Sequence, residues 1–412
     1  MPATTDLTMA TTAAPHRPPS ACVVPLRPRP VPAPFTSLGN RRDEWAHRLA
    51  MVRRARRFLY ASTYFYQYDR YGREYATELL AACGRGVDVW LIIDGFGQRL
   101  ARTLMDREER RRVADLFVAL RRAGVHLVIY RAPHRLQRIL GAGLHIKVQV
   151  ADDGEAILAS GNISATSFER WNEFAVALRG PIAAQLLEVL MGFIAAPDRS
   201  HLDLLRSQNQ DRAWLPAATY CVAGCPTDDP SSLSPLVQRR PNPLTAELIR
   251  LIDGARRTVR ITTFYFKPVP TLFQALERAA LRGVAIEIHH SHRRALAPSD
   301  APWVAATYYY RRCLDLGMRL YENRRGEHSK IIIADDRWAA FGTYNLEHAA
   351  DDRLAEVMVF TGEPATVAEL CRFVRRLRRD PDNVAVDPIG LSSLPLAVKA
   401  KRLAIYPFRR WV

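Results

Sequence analysis

The sequence contains one set of polar residues twice. The first copy comprises His145, Lys147, Asp152, Ser160, Asn162 and Glu173. The second copy comprises His328, Lys330, Asp335, Thr343, Asn345 and Glu356. Each member of the second copy follows its counterpart by 183 residues, so neither copy has an insertion relative to the other. A constant offset of this kind indicates an internal duplication.

Each copy supplies the groups that a reaction at a phosphodiester needs. The lysines and asparagines can donate to the non-bridging oxygens of a phosphoryl group, and the Ser or Thr two residues before each asparagine adds a hydroxyl. One histidine can attack phosphorus while the other protonates the leaving oxygen, and the residues alone do not separate these roles. A carboxylate would fix the second nitrogen of each ring, for which Glu173 and Glu356 are the candidates. Ser160, Thr343, Asp152 and Asp335 are assigned a supporting role, the two aspartates in the turn after each motif strand.

Other interpretations of these residues carry less weight. A lone histidine in an apolar strand is most often structural, but two His-x-Lys pairs with the same residues behind them favour chemistry. No carboxylate cluster suited to Mg²⁺ accompanies either copy, and the lysines already supply positive charge, so we predict metal-independent chemistry without a cofactor. His289, His290 and His292 are interpreted as a loop near the mouth of the site rather than as a zinc site.

The elements that must position the motifs alternate between strand and helix. His and Lys two residues apart on a strand point to the same face, roughly 7 Å apart. Apolar segments 58–66, 87–93 and 125–130 are predicted strands, and segments 73–83 and 107–123 between them are predicted helices. This order predicts a layered α/β domain with a mainly parallel sheet.

The second half of the sequence retraces the order of the first, with one difference in length. The interval from the repeated glycine to the motif histidine is 21 residues in the first half and 11 in the second. The additional residues of the first half form a basic loop that contains Arg131, His134, Arg135 and Arg138.

Length and composition divide the chain into two domains with flanking segments. At 412 residues the chain exceeds one ordinary domain. We predict a disordered Pro-rich lead over 1–42, a first domain over 43–205, a linker over 206–240, a second domain over 241–382 and a basic-aromatic tail over 383–412. The tail suits either a membrane interface or packing on the second domain.

The formal net charge of +17 predicts an anionic partner, either nucleic acid or an acidic membrane surface, although a general preference for arginine accounts for part of the excess. No run of 18 uncharged apolar residues occurs and no signal pattern is present, so we expect a soluble or peripheral protein. The six scattered cysteines favour a reducing cytoplasm.

The two motifs resemble those of the phospholipase D superfamily, whose signature is His-x-Lys-x4-Asp followed by a Gly-Ser/Gly-x-Asn element. Both copies match its His, Lys, Asp and Asn positions, and the resemblance covers approximately residues 43–380. Within the superfamily the second half is most similar to bacterial cardiolipin synthases. One departure is Ala159, where the family usually has Gly, and the bulky Tyr344 beside Asn345 is expected to shape the pocket.

This resemblance implies two tandem α/β/α sandwich domains related by a pseudo-twofold axis, with one active site at their interface. It implies a ping-pong reaction through a phosphohistidine, with His145 as the nucleophile and His328 as general acid, then base. The activity it favours is cardiolipin synthase-like phosphatidyl transfer on anionic phospholipid, by a protein peripheral on the inner, cytoplasmic face of the bacterial cell membrane. The alternatives are a phospholipase D-type hydrolase and a nuclease of the same superfamily. The absence of a recognisable nucleic-acid-binding module favours lipid, and no motif indicates an oligomeric state.

Overall fold

The computed structural model describes residues 35–208, 219–224, 241–296, 299–388, 394–408 and 410. The strands in these ranges are β1 (Phe35–Ser37), β2 (Phe58–Thr63), β3 (Asp88–Asp94), β4 (His126–Tyr130), β5 (Gly143–Leu144), β6 (Val148–Ala151), β7 (Glu155–Ala159), β8 (Ala175–Arg179), β9 (Thr219–Gly224), β10 (Thr258–Thr262), β11 (Phe266–Lys267), β12 (Ala285–Ser291), β13 (Arg319–Asn323), β14 (Ile331–Ala334), β15 (Trp338–Gly342), β16 (Leu346–Glu347), β17 (Leu354–Thr361) and β18 (Asn383–Ala385). The α-helices are α1 (Arg41–Arg54), α2 (Arg70–Gly84), α3 (Gly95–Arg102), α4 (Arg107–Arg122), α5 (Arg135–Ile139), α6 (Pro181–Met191), α7 (Arg199–Ser207), α8 (Pro243–Gly254), α9 (Pro270–Leu281), α10 (Ala301–Asp315), α11 (His348–Asp352), α12 (Pro364–Leu377) and α13 (Leu396–Ile405).

The sheet of the first half has the strand order β1-β8-β7-β6-β2-β3-β4. Strands β2, β3 and β4 run parallel, since helices return the chain between them. Strands β6, β7 and β8 pair antiparallel beside β2, because a short turn at residues 152–154 joins β6 directly to β7. The sheet is therefore mixed, and the prediction of a mainly parallel sheet is wrong. Both kinds of strand are covered on both faces, so both appear in the sequence as apolar runs.

The second half repeats this arrangement. Its sheet has the order β18-β13-β12-β10-β14-β15-β17-β5, and β9 also pairs with β17. Strands β10, β12 and β13 are parallel, while β14, β15 and β17 follow antiparallel. The two halves are the tandem α/β/α domains that the sequence predicts.

An apolar layer lies between the two sheets and belongs to both halves. One cluster of buried side chains joins residues of β6 and α6 to residues of β17 and α12. Phe174 of the first half packs against two rings of the second, Phe373 at 5.1 Å and Phe341 at 6.2 Å between ring centroids. Burial of one such side chain contributes about 1.5–3 kcal/mol. The interface between the halves is thus a shared core rather than a surface contact.

The predicted lead and linker both contain strands. Strand β1 pairs with β8, with Phe35 opposite Leu178, and Asn40 caps α1 by accepting from the Arg42 N–H at 2.9 Å. Strand β9 lies along β17 in the equivalent place of the second half. The other residues of these predictions, 1–34, 209–218 and 225–240, lie outside the described ranges. Proline and polar residues around each short strand conceal it in the sequence.

The predicted tail also contains regular structure. Strand β18 pairs with β13, and α13 packs on α10, where the Tyr308 hydroxyl donates to the Arg402 carbonyl. Arg409 and Trp411 of this prediction lie outside the described ranges. Among the helices that the structure describes, none combines the length and the apolar character needed to cross a bilayer.

Asp335 holds the start of β10 in place through backbone hydrogen bonds. Its carboxylate accepts from the backbone N–H groups of Arg256, Arg257 and Thr258 at 2.7–2.9 Å. Asp152 accepts from two backbone N–H groups before β2 in the same way, at 3.0 and 3.1 Å. Partial burial opposes ionisation of Asp335, but these donors outweigh it and hold its pKa below the usual value.

Replacing Asp335 with alanine is expected to lower the free energy of unfolding by about 1–3 kcal/mol, because the three N–H groups lose a charged acceptor. Since the folded pKa is lowered, the contribution is present above the unfolded pKa and is lost as pH falls through the folded one. Urea unfolding at pH 7 and pH 3 measures this, with the exposed Asp115→Ala on α4 as control. Loss of turnover by correctly folded Asp335→Ala would instead indicate a part in the chemistry.

Candidate active site

Each motif histidine is attached to the opposite half of the molecule by backbone hydrogen bonds. Strand β5 pairs with β17, and the His145 N–H donates to the Ala355 carbonyl at 2.9 Å. In the reciprocal contact, the His328 N–H donates to the Asn172 carbonyl at 2.8 Å. Asn172 and Ala355 are separated by the same 183 residues as the two histidines. The duplication therefore produces two matching backbone contacts between the halves, and these contacts bring both motifs to one place.

The side chains at these contacts form two histidine–glutamate pairs. In each pair, one half of the molecule provides the histidine and the other half provides the glutamate. Nδ1 of His145 lies 2.8 Å from Oε1 of Glu356, and Nδ1 of His328 lies 2.8 Å from Oε2 of Glu173. All four residues are buried. The sequence identifies these carboxylates as ring partners, but it does not say that each serves the histidine of the other half. With Nδ1 engaged, Nε2 is the nitrogen of each ring that remains for chemistry.

The two motif lysines lie beside the histidines. Lys147 Nζ donates to the His145 carbonyl at 2.8 Å, and Lys330 Nζ donates to the His328 carbonyl. Both lysines are buried. Lys147 also faces the Tyr64 ring, 5.5 Å from its centroid. Each ammonium group is thus held next to the histidine of its own motif.

The motif asparagines are oriented by the chain that follows the first strand of each half. Oδ1 of Asn162 accepts from the Tyr64 N–H at 3.2 Å, and Oδ1 of Asn345 accepts from the Phe264 N–H at 3.3 Å. The amide nitrogen of Asn345 donates to Glu347 at 3.3 Å. The backbone thereby fixes which end of each amide can act as a donor.

The motif hydroxyls, to which the sequence assigns a supporting role, contact the chain beside the motif glutamates. Ser160 donates to the Glu173 carboxylate and accepts from the Phe174 N–H at 2.9 Å. Thr343 accepts from the Val357 N–H at 3.0 Å. Both hydroxyls bond a motif glutamate or the residue after it, so they are positioned to support the glutamates.

Aromatic residues that motif reasoning misses form the walls of the site. Tyr64 lies edge-on to the His145 ring at 4.8 Å, and Phe264 lies edge-on to the His328 ring at 4.6 Å. These two aromatic residues occupy equivalent places in the repeated aromatic segments of the two halves. That repetition is the sequence signal that could have identified them.

The two halves of the site are not identical. Trp171 stacks on His328 at 4.6 Å with an interplanar angle of 26°, whereas the position 183 residues later is Leu354. Glu327, whose pKa burial raises to about 8, likewise corresponds to Leu144 in the first half. The surroundings of His328 are therefore more aromatic and more polar than those of His145.

Burial has the largest effect on the pKa values of the two motif lysines. It lowers the pKa of Lys147 to about 7 and that of Lys330 to about 8, while Glu356 and Glu173 act in the opposite direction. A bound phosphodiester would add a negative charge next to both ammonium groups and favour their protonated form.

Burial also shifts the pKa values of the motif histidines and glutamates. Burial, and next the charges of the lysines, lowers the pKa of His145 and His328 well below the usual value. Burial raises the pKa of Glu173 and Glu356, and the lysines oppose this change. Both imidazoles are therefore neutral in the empty site at neutral pH, which is the form required of a nitrogen nucleophile.

The pH dependence of kcat/KM should follow from these shifts. Activity is expected to fall most steeply as pH rises through about 7 to 8, because the lysines lose their protons there in addition to the proton that a general acid must carry. The acid limb is expected below the ordinary histidine value of 6.5, because the lowered pKa keeps His145 neutral. These limbs report apparent pKa values of the coupled site. Rates of turnover of a short-chain phosphodiester, measured between pH 4 and 10, give both limbs. An acid limb at or above pH 6.5 would contradict the argument that burial lowers the pKa of His145.

Of the three histidines proposed for a loop at the site mouth, two lie in a strand. His289 and His290 belong to the buried strand β12, so the interpretation as a loop is wrong for them. His289 pairs with Glu287 at 2.8 Å, and His290 pairs with the Tyr310 hydroxyl at 2.8 Å. Within the described ranges, no group of three or more His, Cys, Asp or Glu residues is arranged to hold a metal ion.

Comparisons with known proteins identify relatives of both halves. A family model described as "Cardiolipin synthase, PLD-like domain" matches residues 49–192 and 248–378. Cardiolipin synthase B of Salmonella typhimurium is 26% identical over 316 residues, which cover 72% of this chain and 68% of that protein. Cardiolipin synthase B of Escherichia coli K12 is 27% identical over 302 residues, which cover 69% of this chain and 66% of that protein. The chain thus spans about two thirds of the length of these relatives.

Among solved structures, the phosphatidylserine synthase of Haemophilus influenzae Rd KW20 is similar with a TM-score of 0.70 and 15% identity. The match covers 93% of this chain and 96% of that one. At this level of identity the likeness concerns the fold, which is the same over nearly the whole of both chains.

Proposed function

The chain belongs to the family of phospholipase D-like domains described for cardiolipin synthases, and we propose that it transfers a phosphatidyl group between alcohols through a covalent phosphohistidine. The observation that carries this proposal is the convergence of two His–Glu pairs and two buried lysines, each pair made by both halves. Two histidines at one centre supply a nucleophile and a separate proton carrier, which a two-step transfer needs and simple binding does not.

In the first step, Nε2 of His145 attacks the phosphorus of a donor such as phosphatidylglycerol. The bond from phosphorus to the glycerol oxygen breaks, its electron pair stays on that oxygen, and His328 Nε2 donates the proton that completes free glycerol. Lys147 and Lys330 stabilise charge on the non-bridging oxygens. The negative phosphodiester favours the protonated form of His328 that this step requires.

In the second step, the hydroxyl of an acceptor replaces glycerol in the site. His328 removes the hydroxyl proton, the oxygen attacks phosphorus, and the bond from phosphorus to His145 breaks. A second phosphatidylglycerol as acceptor gives cardiolipin, and water gives phosphatidic acid. We place the reaction at the inner face of the bacterial cell membrane, with the protein bound peripherally, because donor and product are both membrane lipids.

Product analysis tests this function. Purified protein is incubated with labelled phosphatidylglycerol in mixed micelles, with chelator present and His145→Ala as control. We expect labelled cardiolipin and free glycerol, both absent from the control. Phosphatidic acid as the sole product would make the protein a hydrolase. Cleavage of single-stranded DNA without any lipid product would replace the proposal with a nuclease.

A further inference from the structure

Four large apolar side chains are exposed on two neighbouring segments of the first domain, near His145. Their exposed fractions are 45% for Leu100, 50% for Leu104, 49% for Leu136 and 64% for Ile139. The first two lie at the end of α3 and just after it, and the last two lie one turn apart on α5. The Arg99 side chain donates to the Arg138 carbonyl at 3.0 Å, which joins the two segments. We refer to these exposed residues, with the arginines around them, as the α3–α5 patch.

The α3–α5 patch carries positive charge without matching negative charge. Its exposed arginines are Arg99, Arg102, Arg131, Arg135 and Arg138. Two of them donate to backbone carbonyls. Arg99 donates to the carbonyl of Arg138, and Arg138 donates to the carbonyl of Pro133 at 2.8 Å. Within the described ranges, none of the five forms an ion pair with a carboxylate. Arg131, Arg135 and Arg138 belong to the loop that is longer in the first half.

The α3–α5 patch is connected to the site by direct contacts. Asp94, the residue that caps α3, accepts from the Leu144 N–H at 2.7 Å, immediately before His145. Gly97 packs so closely on Tyr64 that an added Cβ would lie 2.3 Å from the Tyr64 carbonyl oxygen. Since the Tyr64 ring lies edge-on to His145, one wall of the site is continuous with the patch.

A second exposed apolar segment lies on the side of His328. Leu396, Leu403 and Phe408 are all exposed along α13 and the turn after it. The inner face of α13 places Val398 in the cluster that contains Phe264, whose ring contacts His328. The helix that carries these exposed residues therefore packs, through its inner face, in the cluster beside His328.

From this geometry we propose that the α3–α5 patch is the surface by which the protein docks on an anionic phospholipid bilayer. Its leucines and isoleucine enter the interface, and its arginines contact lipid phosphates. The proposal rests on the proposed phosphatidyl transfer, because docking there presents membrane lipid to His145. A nucleic acid would satisfy the arginines but would leave the apolar side chains in water.

The test separates docking from chemistry with two substrates. The full chain and the double variant Leu136→Ser/Ile139→Ser are compared for sedimentation with vesicles of phosphatidylglycerol and phosphatidylcholine, and with vesicles of phosphatidylcholine alone. Turnover is measured on the same vesicles and on monomeric short-chain phosphatidylglycerol. Leu281→Ser is the matched control, because Leu281 is 72% exposed at the end of α9, remote from both histidines in the fold.

We expect the wild type to bind the anionic vesicles, and the double variant to bind them roughly 10- to 100-fold more weakly, since two apolar side chains leave the interface. Its turnover of monomeric substrate and the binding of Leu281→Ser should be unchanged. Equal vesicle binding by the double variant and wild type would overturn the docking surface, whatever the substrate. Patch-dependent binding together with no lipid turnover by wild type would support the surface and remove the proposed function. Binding to single-stranded DNA but not to anionic vesicles would overturn the inference.

Discussion

His145→Ala is expected to lose phosphatidyl transfer by roughly 10⁴- to 10⁶-fold, the cost of removing a nucleophile that acts as part of a unit. His328→Ala should lose steady-state turnover to a similar extent, but at a different step. Its nucleophile remains, so a donor whose leaving group needs no proton should still react once. Phosphatidyl-p-nitrophenol is such a donor, because nitrophenolate leaves as an anion.

The two variants therefore differ in a single-turnover experiment. His328→Ala should release one equivalent of nitrophenolate and retain a phosphatidyl group on His145, detected by mass spectrometry of the intact chain. His145→Ala should release none. The exposed His126→Ala should behave as wild type. A burst from His145→Ala with the adduct on His328 would reverse the assignment of the two roles.

Glu356→Gln is expected to reduce adduct formation on His145 by roughly 10²- to 10⁴-fold, although the two residues belong to different halves. A carboxylate accepts a hydrogen bond from Nδ1–H of His145 and leaves the Nε2 lone pair free, as the 2.8 Å contact indicates. A glutamine NH₂ can instead donate to Nδ1, which moves the ring proton to Nε2 and blocks the attack. Carboxylate-to-amide replacements at comparable histidines have costs of this size.

Glu173→Gln should act on the other histidine. It should leave the nitrophenolate burst nearly intact and suppress turnover, because its partner His328 is needed for the proton transfers. Glu287→Gln is a matched control, since Glu287 forms a buried 2.8 Å pair with His289, which belongs to neither motif. Thermal unfolding of each variant separates effects on chemistry from effects on folding. Loss of the burst in Glu173→Gln, with its retention in Glu356→Gln, would contradict the crossed pairing.

The motif residues and their repeat could be read from the sequence, because the duplication preserves their spacing. The tandem fold also follows, since strand and helix alternate in both halves. The crossed pairing of His145 with Glu356 could not be predicted, because spacing along the chain does not say which strands become neighbours. That pairing depends on the short ladder between β5 and β17, only two residues long in the first half.

The contacts of individual side chains could not be predicted from the sequence either. Trp171 and Leu354 stand at equivalent positions, yet only the structure shows that Trp171 stacks on the motif histidine His328. Ser160 has the residue type of a phosphate ligand, but its hydroxyl is taken by Glu173 and the chain beside it. In both examples the type of residue was visible and its neighbour was not.

The most direct test of two-step transfer through one composite site is the configuration at phosphorus. Phosphatidylglycerol that carries a chiral phosphorothioate is transferred to an alcohol acceptor, and the product is compared with the donor. Two successive in-line displacements, by His145 and then by the acceptor, predict retention of configuration. Inversion would mean a single direct displacement and would contradict the phosphohistidine mechanism.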